Sequence, residues 1–128
     1  MIYLLDTCTF LWACLDERSL SSRAREILSD PEIELFVSVI SEWEIYIKTS
    51  IGKLVLPSAA TAFLRRAKEE LRLASLPLVA EDCARFSMLA AIAKDPFDKM
   101  LASQSIEQEI PILSPDIAIA RYGAKTVW

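Results

Sequence analysis

Four carboxylates, Asp6, Glu44, Asp98 and Asp116, stand apart from the other acidic residues by where they fall. Asp6 directly follows the apolar run Ile2-Tyr3-Leu4-Leu5. Glu44 lies within a helical pattern on its apolar side. Asp98 ends the segment Asp95-Pro96-Phe97-Asp98, and Asp116 follows Pro111–Leu113 across Ser114-Pro115. Carboxylates are hard oxygen donors, the ligand type that holds a divalent cation against a phosphodiester. The sequence contains no histidine. That absence removes Ser-His-Asp and Cys-His nucleophile chemistry and histidine acid–base catalysis. Hydrolysis is left to carboxylates, lysines, hydroxyls or a metal. The three cysteines, Cys8, Cys14 and Cys83, are odd in number and form no CxxC pair, so they read as free thiols and not as a zinc site. With only two glycines, there is no GxGxxG or P-loop to cradle a phosphate.

Each acid has a structural role that competes with the chemical one. Asp6 can cap a helix beginning at Thr7. It also sits where a buried strand surfaces, the place at which open α/β sheets bind ligands. At about 100° per residue, Ile40, Ile47 and Ile51 fall within about 20° of one another, and Glu44 lies about 40° from Ile40. A capping box with Ser41 or a pair with Lys48 would occupy Glu44, but neither accounts for a charge on an apolar face. Glu42 points the opposite way and reads as solvated. Asp95, before a proline at the first helical position, reads as an N-cap. Asp98 can serve that helix start or turn inward with Leu101, Ala102 and Ser105. Asp116 can cap a helix at Ile117, and its place past a strand end repeats that of Asp6.

The elements that must position these groups alternate along the chain. Ile2–Leu5 reads as a strand covered on both faces. A helix starts at Thr7, with Phe10, Leu11 and Cys14 at helical spacing, and a second spans Ser21–Asp30, ended before Pro31. Ile33–Val37 is a strand. Val39–Ile51 is a helix with Gly52 in the position of a left-handed cap. Ser58–Leu73 is an amphipathic helix. Leu76–Val79 reads as an edge strand because of Pro77. Glu81–Ala93 is a helix with Cys83, Phe86, Leu89 and Ala90 as its buried stripe. A helix from Asp95-Pro96 to about Gln108, a strand Pro111–Leu113, a short helix Ile117–Tyr122 and a strand Lys125–Trp128 complete the chain. Strands alternating with helices predict a parallel three-layer α/β sandwich.

The 128 residues suit one domain, residues 1–128, and are too few for two. With 53% hydrophobic and 25% charged residues the composition is that of a soluble globular protein. No run reaches membrane-spanning length and no secretory leader pattern is present, so the expectation is a cytoplasmic protein with no membrane association. The formal charge of −4 excludes a general polyanion binder. It is compatible with an enzyme whose acids are masked by a cation.

The stretches LLDTCTFLW, SVISEWEIYIKTSIGKLVLP, KDPFDKMLASQ and SPDIAIARYG, in this order, resemble the PIN-domain ribonucleases of VapC type, the toxins of type II toxin–antitoxin pairs. The resemblance runs from the first strand to Trp128. It implies an α/β/α sandwich with a parallel five-stranded sheet and an acidic pocket at the strand carboxyl ends. By motif it implies that Asp6 and Asp98 are the chief Mg²⁺ or Mn²⁺ ligands. Glu44 and Asp116 would complete the shell directly or through water, with Thr7, Ser38 and Ser114 as supporting hydroxyls. The reaction implied is endonucleolytic hydrolysis of RNA to 5′-phosphate and 3′-hydroxyl ends. Also implied are a homodimer and a small cognate antitoxin, for which Ser58–Leu73 offers a surface. Lys48, Lys53, Lys94, Lys99 and Arg121 are candidates for holding RNA. Relatives of this subgroup often carry histidine at the positions of Cys8 and of Ile92 or Ala93, so the departures here bear on substrate contact and not on the carboxylates. Two other readings are a catalytically inactive PIN module that binds RNA or protein, and another Mg²⁺-dependent phosphohydrolase. A dehalogenase-like phosphatase would need an aspartate where Cys8 stands.

Overall fold

The computed structural model describes residues Met1–Trp128. Ile2–Leu5 forms β1, the middle strand of a five-stranded parallel sheet. Successive side chains of a strand point to opposite faces. Tyr3 and Leu5 therefore enter one core and Leu4 the other, and all three are buried. A strand buried on both faces has to be apolar at every position, which is why this run carries no alternation.

After β1 come α1 (Thr7–Leu15), a 3₁₀ turn at Glu17–Ser19 and α2 (Ser22–Ser29). β2 (Glu34–Ser38) leads directly into α3 (Val39–Ser50), followed by α4 (Ala60–Glu70) and β3 (Leu73–Leu76). The remainder is α5 (Ala80–Met88), α6 (Pro96–Gln108), β4 (Ile112–Leu113), α7 (Ile117–Arg121) and β5 (Thr126–Val127). The strand order is β3-β2-β1-β4-β5. On one face Phe10, Ile27, Phe63 and Leu64 pack against Tyr3, Leu5, Leu35 and Val37. On the other, Ile40, Leu101, Ala102 and Ile119 pack against Leu4 and Ile112. The architecture is the expected three-layer α/β/α sandwich.

The register matters for function. Leu5 lies opposite Val37 on β2 and Leu113 on β4. The next residues, Asp6, Ser38 and Ser114, thus emerge together along one edge of the sheet.

Several boundaries differ from the sequence reading. The helix expected over Ser58–Leu73 stops at Glu70, and the strand expected at Leu76–Val79 instead spans Leu73–Leu76. The break is made by Arg72 at φ +56°, a left-handed conformation in which arginine is uncommon. Nothing in the residue type announces it, and Leu71 continues the helical apolar spacing past the true end. β3 is nonetheless an edge strand, and Pro77 follows it. The helix expected over Glu81–Ala93 ends at Met88, and the buried stripe is displaced: Cys83, and Ala90 beyond the helix, are exposed, while Asp82 is fully buried. Asp82 accepts hydrogen bonds from the Val79 N–H at 3.0 Å and from Gln108 Nε2 at 3.0 Å, so its charge is satisfied inside the protein. Gly52 does occupy the left-handed cap, at φ +74°, and the N–H groups of Lys53 and Leu54 both reach back to the Lys48 carbonyl.

Candidate active site

Asp6 ends β1 and begins α1. It is 3% exposed, and it does cap the helix: Oδ1 accepts the Thr9 N–H at 2.8 Å. Oδ2 accepts the hydroxyl of Ser114, 108 residues away in sequence. Burial pushes the Asp6 carboxyl above the usual carboxylate range. Its bonds to Ser114 and Thr9 pull the other way, and the charge of Asp116 adds to the rise.

Glu44 is also buried, at 5% exposure, but the stripe it shares is not the one expected. The buried side of α3 consists of Ile40, Ser41, Glu44 and Ile45, whereas Ile51 is largely exposed. The reason is that α3 packs across the end of the sheet. Ile40 serves one core and Ile45 the other, so its buried arc is broad and centred near Glu44. Both carboxylate oxygens are engaged. Thr7 Oγ1 donates to Oε1 at 2.7 Å, and Lys48 Nζ donates to Oε2 at 2.7 Å. The i,i+4 pair with Lys48 therefore forms, and it raises the Lys48 pKa through the hydrogen bond to Glu44. Ser41 makes no capping box. It lies 2.8 Å from Thr7 Oγ1, and the cap of α3 is Ser38, whose Oγ accepts the Ile40 N–H at 3.0 Å. Ser38 also bonds Gln104, so of the three supporting hydroxyls only Thr7 and Ser114 reach a carboxylate. Glu42 is not solvated as expected: it accepts from Lys68 Nζ at 2.8 Å and Ser75 Oγ at 2.6 Å, tying α3 to α4 and to the sheet edge.

At the start of α6, Asp95 is the N-cap, accepting the Phe97 N–H at 2.8 Å, with Pro96 in the first turn. Asp98 is left free of that duty, and no backbone N–H donates to its carboxylate. Burial, followed by the charges of Asp95 and Asp116, a side-chain hydrogen bond with Asp95 and the charge of Asp6, pushes its pKa up to about 8. Asp116 caps α7 through the Ala118 N–H at 2.8 Å, and its own N–H donates to Ser114 Oγ at 3.0 Å.

These groups meet at one cavity of about 230 Å³. It is lined by Asp6, Glu44, Asp98 and Asp116 together with Asp95, Thr7, Cys8, Lys48 and Lys53, over apolar Leu11, Ile45 and Leu54. All four acids picked from the sequence are there. Asp95 is a cap and a wall residue at once, a double role that its Asp-Pro signature does not announce. The Cys8 thiol is pushed up to about 11, by burial first and then by Asp6, Asp98 and Glu44, so it stays protonated at neutral pH. Of the basic candidates, Lys48 and Lys53 line the cavity. Lys99 instead rests on the Phe86 ring at 4.4 Å, and Lys94 and Arg121 are exposed.

As the side chains stand, no three of them lie at metal-ligand spacing. Asp6, Asp95 and Asp116 are each tied to their own helix ends. The chemistry of the set still suits a hard divalent cation. It offers several carboxylate oxygens, one carboxylate that no backbone N–H holds, and a repulsion among them that a positive ion would relieve.

The family model described as the PIN domain matches residues 3–125. Among solved structures, the chain is similar to VapBC2 from Rickettsia felis bound to a DNA fragment from their promoter, at 16% identity and a TM-score of 0.74 over 99% of this chain and 98% of that one. It is also similar to VapBC-1 from nontypeable Haemophilus influenzae (16% identity, TM-score 0.69, 99% and 97% covered). A third is FitAcB from Neisseria gonorrhoeae (18% identity, TM-score 0.65, 100% and 97% covered). No curated protein matches in sequence. At these identities the solved structures speak to the fold.

Proposed function

The chain belongs to the PIN-domain family, and from that membership we propose that it is a metal-dependent endoribonuclease, the VapC-type toxin of a toxin–antitoxin pair. The observation that carries this reading is the convergence of Asp6, Glu44, Asp98 and Asp116 on one cavity at the carboxyl ends of β1 and β4. Family membership alone would fit an inactive binding module as well. A module without catalysis has no need to keep four carboxylates in one small cavity, where each raises the cost of the others.

Asp6 and Asp98 would hold Mg²⁺ or Mn²⁺, with Asp116 and Glu44 completing the shell directly or through water. The bound ion supplies a lowered water pKa and neutralises charge on the phosphate oxygens. The protein's own groups do the positioning. Thr9 and Ser114 fix both oxygens of Asp6 where it lines the cavity. Thr7 and Lys48 engage both oxygens of Glu44 and hold it in place. Asp116 spends Oδ1 on its helix cap, which leaves Oδ2 to orient the attacking water. Lys53 lines the cavity without an ion pair and is placed to meet a phosphate. Attack by water releases a 5′-phosphate and a 3′-hydroxyl and does not use the ribose 2′-hydroxyl as nucleophile.

The partner we infer is a small antitoxin, a reading supported by the likeness of fold to chains of VapBC and FitAB complexes. A groove of about 380 Å³ between α1 and α4, lined by Ala13, Leu15, Pro57 and Phe63 and rimmed by Glu17, Arg66 and Glu70, gives an amphipathic segment a place to lie. Residues before α4, including the exposed Val55, extend that surface and suit a homodimer contact.

The test is a cleavage assay on single-stranded and structured RNA with Mg²⁺ or Mn²⁺. The expected result is cleavage that stops in EDTA, leaves 5′-phosphate ends and falls at least a hundredfold in Asp6→Asn and Asp98→Asn. Cyclic-phosphate ends or EDTA-resistant cleavage would overturn the mechanism.

A further inference from the structure

α3 and α6 each place an aromatic ring one residue away from a cavity carboxylate. Trp43 precedes Glu44, and Phe97 precedes Asp98. The two rings meet across the helices with centroids 5.5 Å apart at 67°, an edge-to-face arrangement. Trp43 is nevertheless 57% exposed. The other two tryptophans, Trp12 and Trp128, pack on each other and are half-buried. An indole held on one side by a partner ring and open to solvent on the other is a rigid surface whose orientation is already fixed. It serves no core, yet its helix is one whose inner side carries Glu44 and Lys48.

We infer that Trp43, braced by Phe97, is a stacking platform for a nucleobase of the RNA whose phosphate enters the acidic cavity. The inference rests on the nuclease reading and deepens it by naming a residue that binds and positions the substrate. Two features favour a base over a protein partner. The residues next to the two rings, Glu44 and Asp98, line the cavity, and there Lys53, which has no ion pair, is placed to meet a phosphate. An acidic protein also gains little affinity from long-range attraction to RNA, so contacts insensitive to charge must supply the difference. Stacking on aromatic side chains is of that kind, and it tolerates any base. A chain with no histidine has few other planar side chains to offer beside the site.

The experiment is a titration of intrinsic tryptophan fluorescence with an eight-residue oligouridylate in Ca²⁺, on the full chain and on W43A, W43Q and W43F. Expected are quenching in the wild type, loss of most of that signal in the variants, and affinity by filter binding weakened about tenfold or more in W43A and W43Q. W43F should retain most of the affinity. An oligomer lacking its bases should bind wild type and W43A alike. Equal affinity of W43A, W43Q and wild type for the oligouridylate overturns the inference. So does a change of oligomeric state in those variants with RNA affinity intact, which would assign the ring to a protein interface. RNA binding that depends on Trp43 without cleavage in Mg²⁺ or Mn²⁺ would sink the nuclease reading and leave the platform standing.

Discussion

Asp98 is the carboxylate with the least support from the protein and the most pressure from its neighbours. Its pKa of about 8 means that the metal-free folded chain holds a proton there which the unfolded chain, at the ordinary 3.8, gives up. Between those values the native state binds more protons than the unfolded state, so stability falls as pH rises from about 4 and levels off above about 8. Asp98→Asn removes the titration. In EDTA at pH 8 the variant should unfold at a higher temperature than the wild type and show a flatter profile between pH 5 and 8. The gain is of order 1 kcal/mol, because the carboxyl is only partly buried and water screens much of the repulsion. That corresponds to roughly 4 °C in a chain of this size. Thermal melts across that pH range decide it, and parallel profiles would mean the neighbouring acids do not press on Asp98. The same substitution should thus destroy activity and stabilise the fold, a combination expected where a site works under electrostatic strain.

Helix ends decide how far the elements could be read from residues alone. Asp6, Ser21, Ser38, Asp95 and Asp116 all serve as N-caps; the three aspartates are legible as such because a capping side chain is a short-range signal, whereas the starts at Ser21 and Ser38 are legible from the apolar spacing that follows them. Helix stops were legible only where glycine or proline marks them, as at Gly52. Arg72 and Glu109 end helices in the left-handed conformation without the residue that favours it, and α4 was accordingly read too long. The cavity acids stand out in the sequence because Asp6 and Asp116 sit beside strand ends and Glu44 interrupts an apolar pattern. The phase of that pattern was misjudged, since a helix lying across two cores buries a wider arc than a single stripe. The hydrogen bonds that engage Glu44 and Glu42, to Thr7 and to Lys68, join residues far apart in sequence and leave no trace in local spacing. A test at this scale is Glu109→Gly, at the left-handed cap of α6. Glycine adopts that conformation freely, so the change should stabilise the protein by about 0.5–1 kcal/mol without altering cleavage. A fall in the melting temperature would show that the glutamate side chain contributes something the cap geometry does not reveal.

The molecule as a whole carries a formal charge of −4, and part of that charge is concentrated in one cavity at the end of the sheet. A cation that binds the native state and not the unfolded chain stabilises it in proportion to the logarithm of its concentration. Mg²⁺ or Mn²⁺ at about a hundred times its dissociation constant should add roughly 2.7 kcal/mol to the wild type. The melting temperature should keep rising with further metal, while Asp6→Asn and Asp98→Asn stay nearly flat. Scanning calorimetry against metal concentration checks this, and an equal rise in both variants would place the ion elsewhere.

No helix is long and apolar enough to cross a membrane. At the sheet's middle Ser114 grips Asp6 across a separation of 108 residues. That embrace fixes an order of assembly. During synthesis the first acid has to wait for its clasp until the segment carrying Ser114 and Asp116 has followed it, so the acidic cavity cannot close around an unfinished stretch.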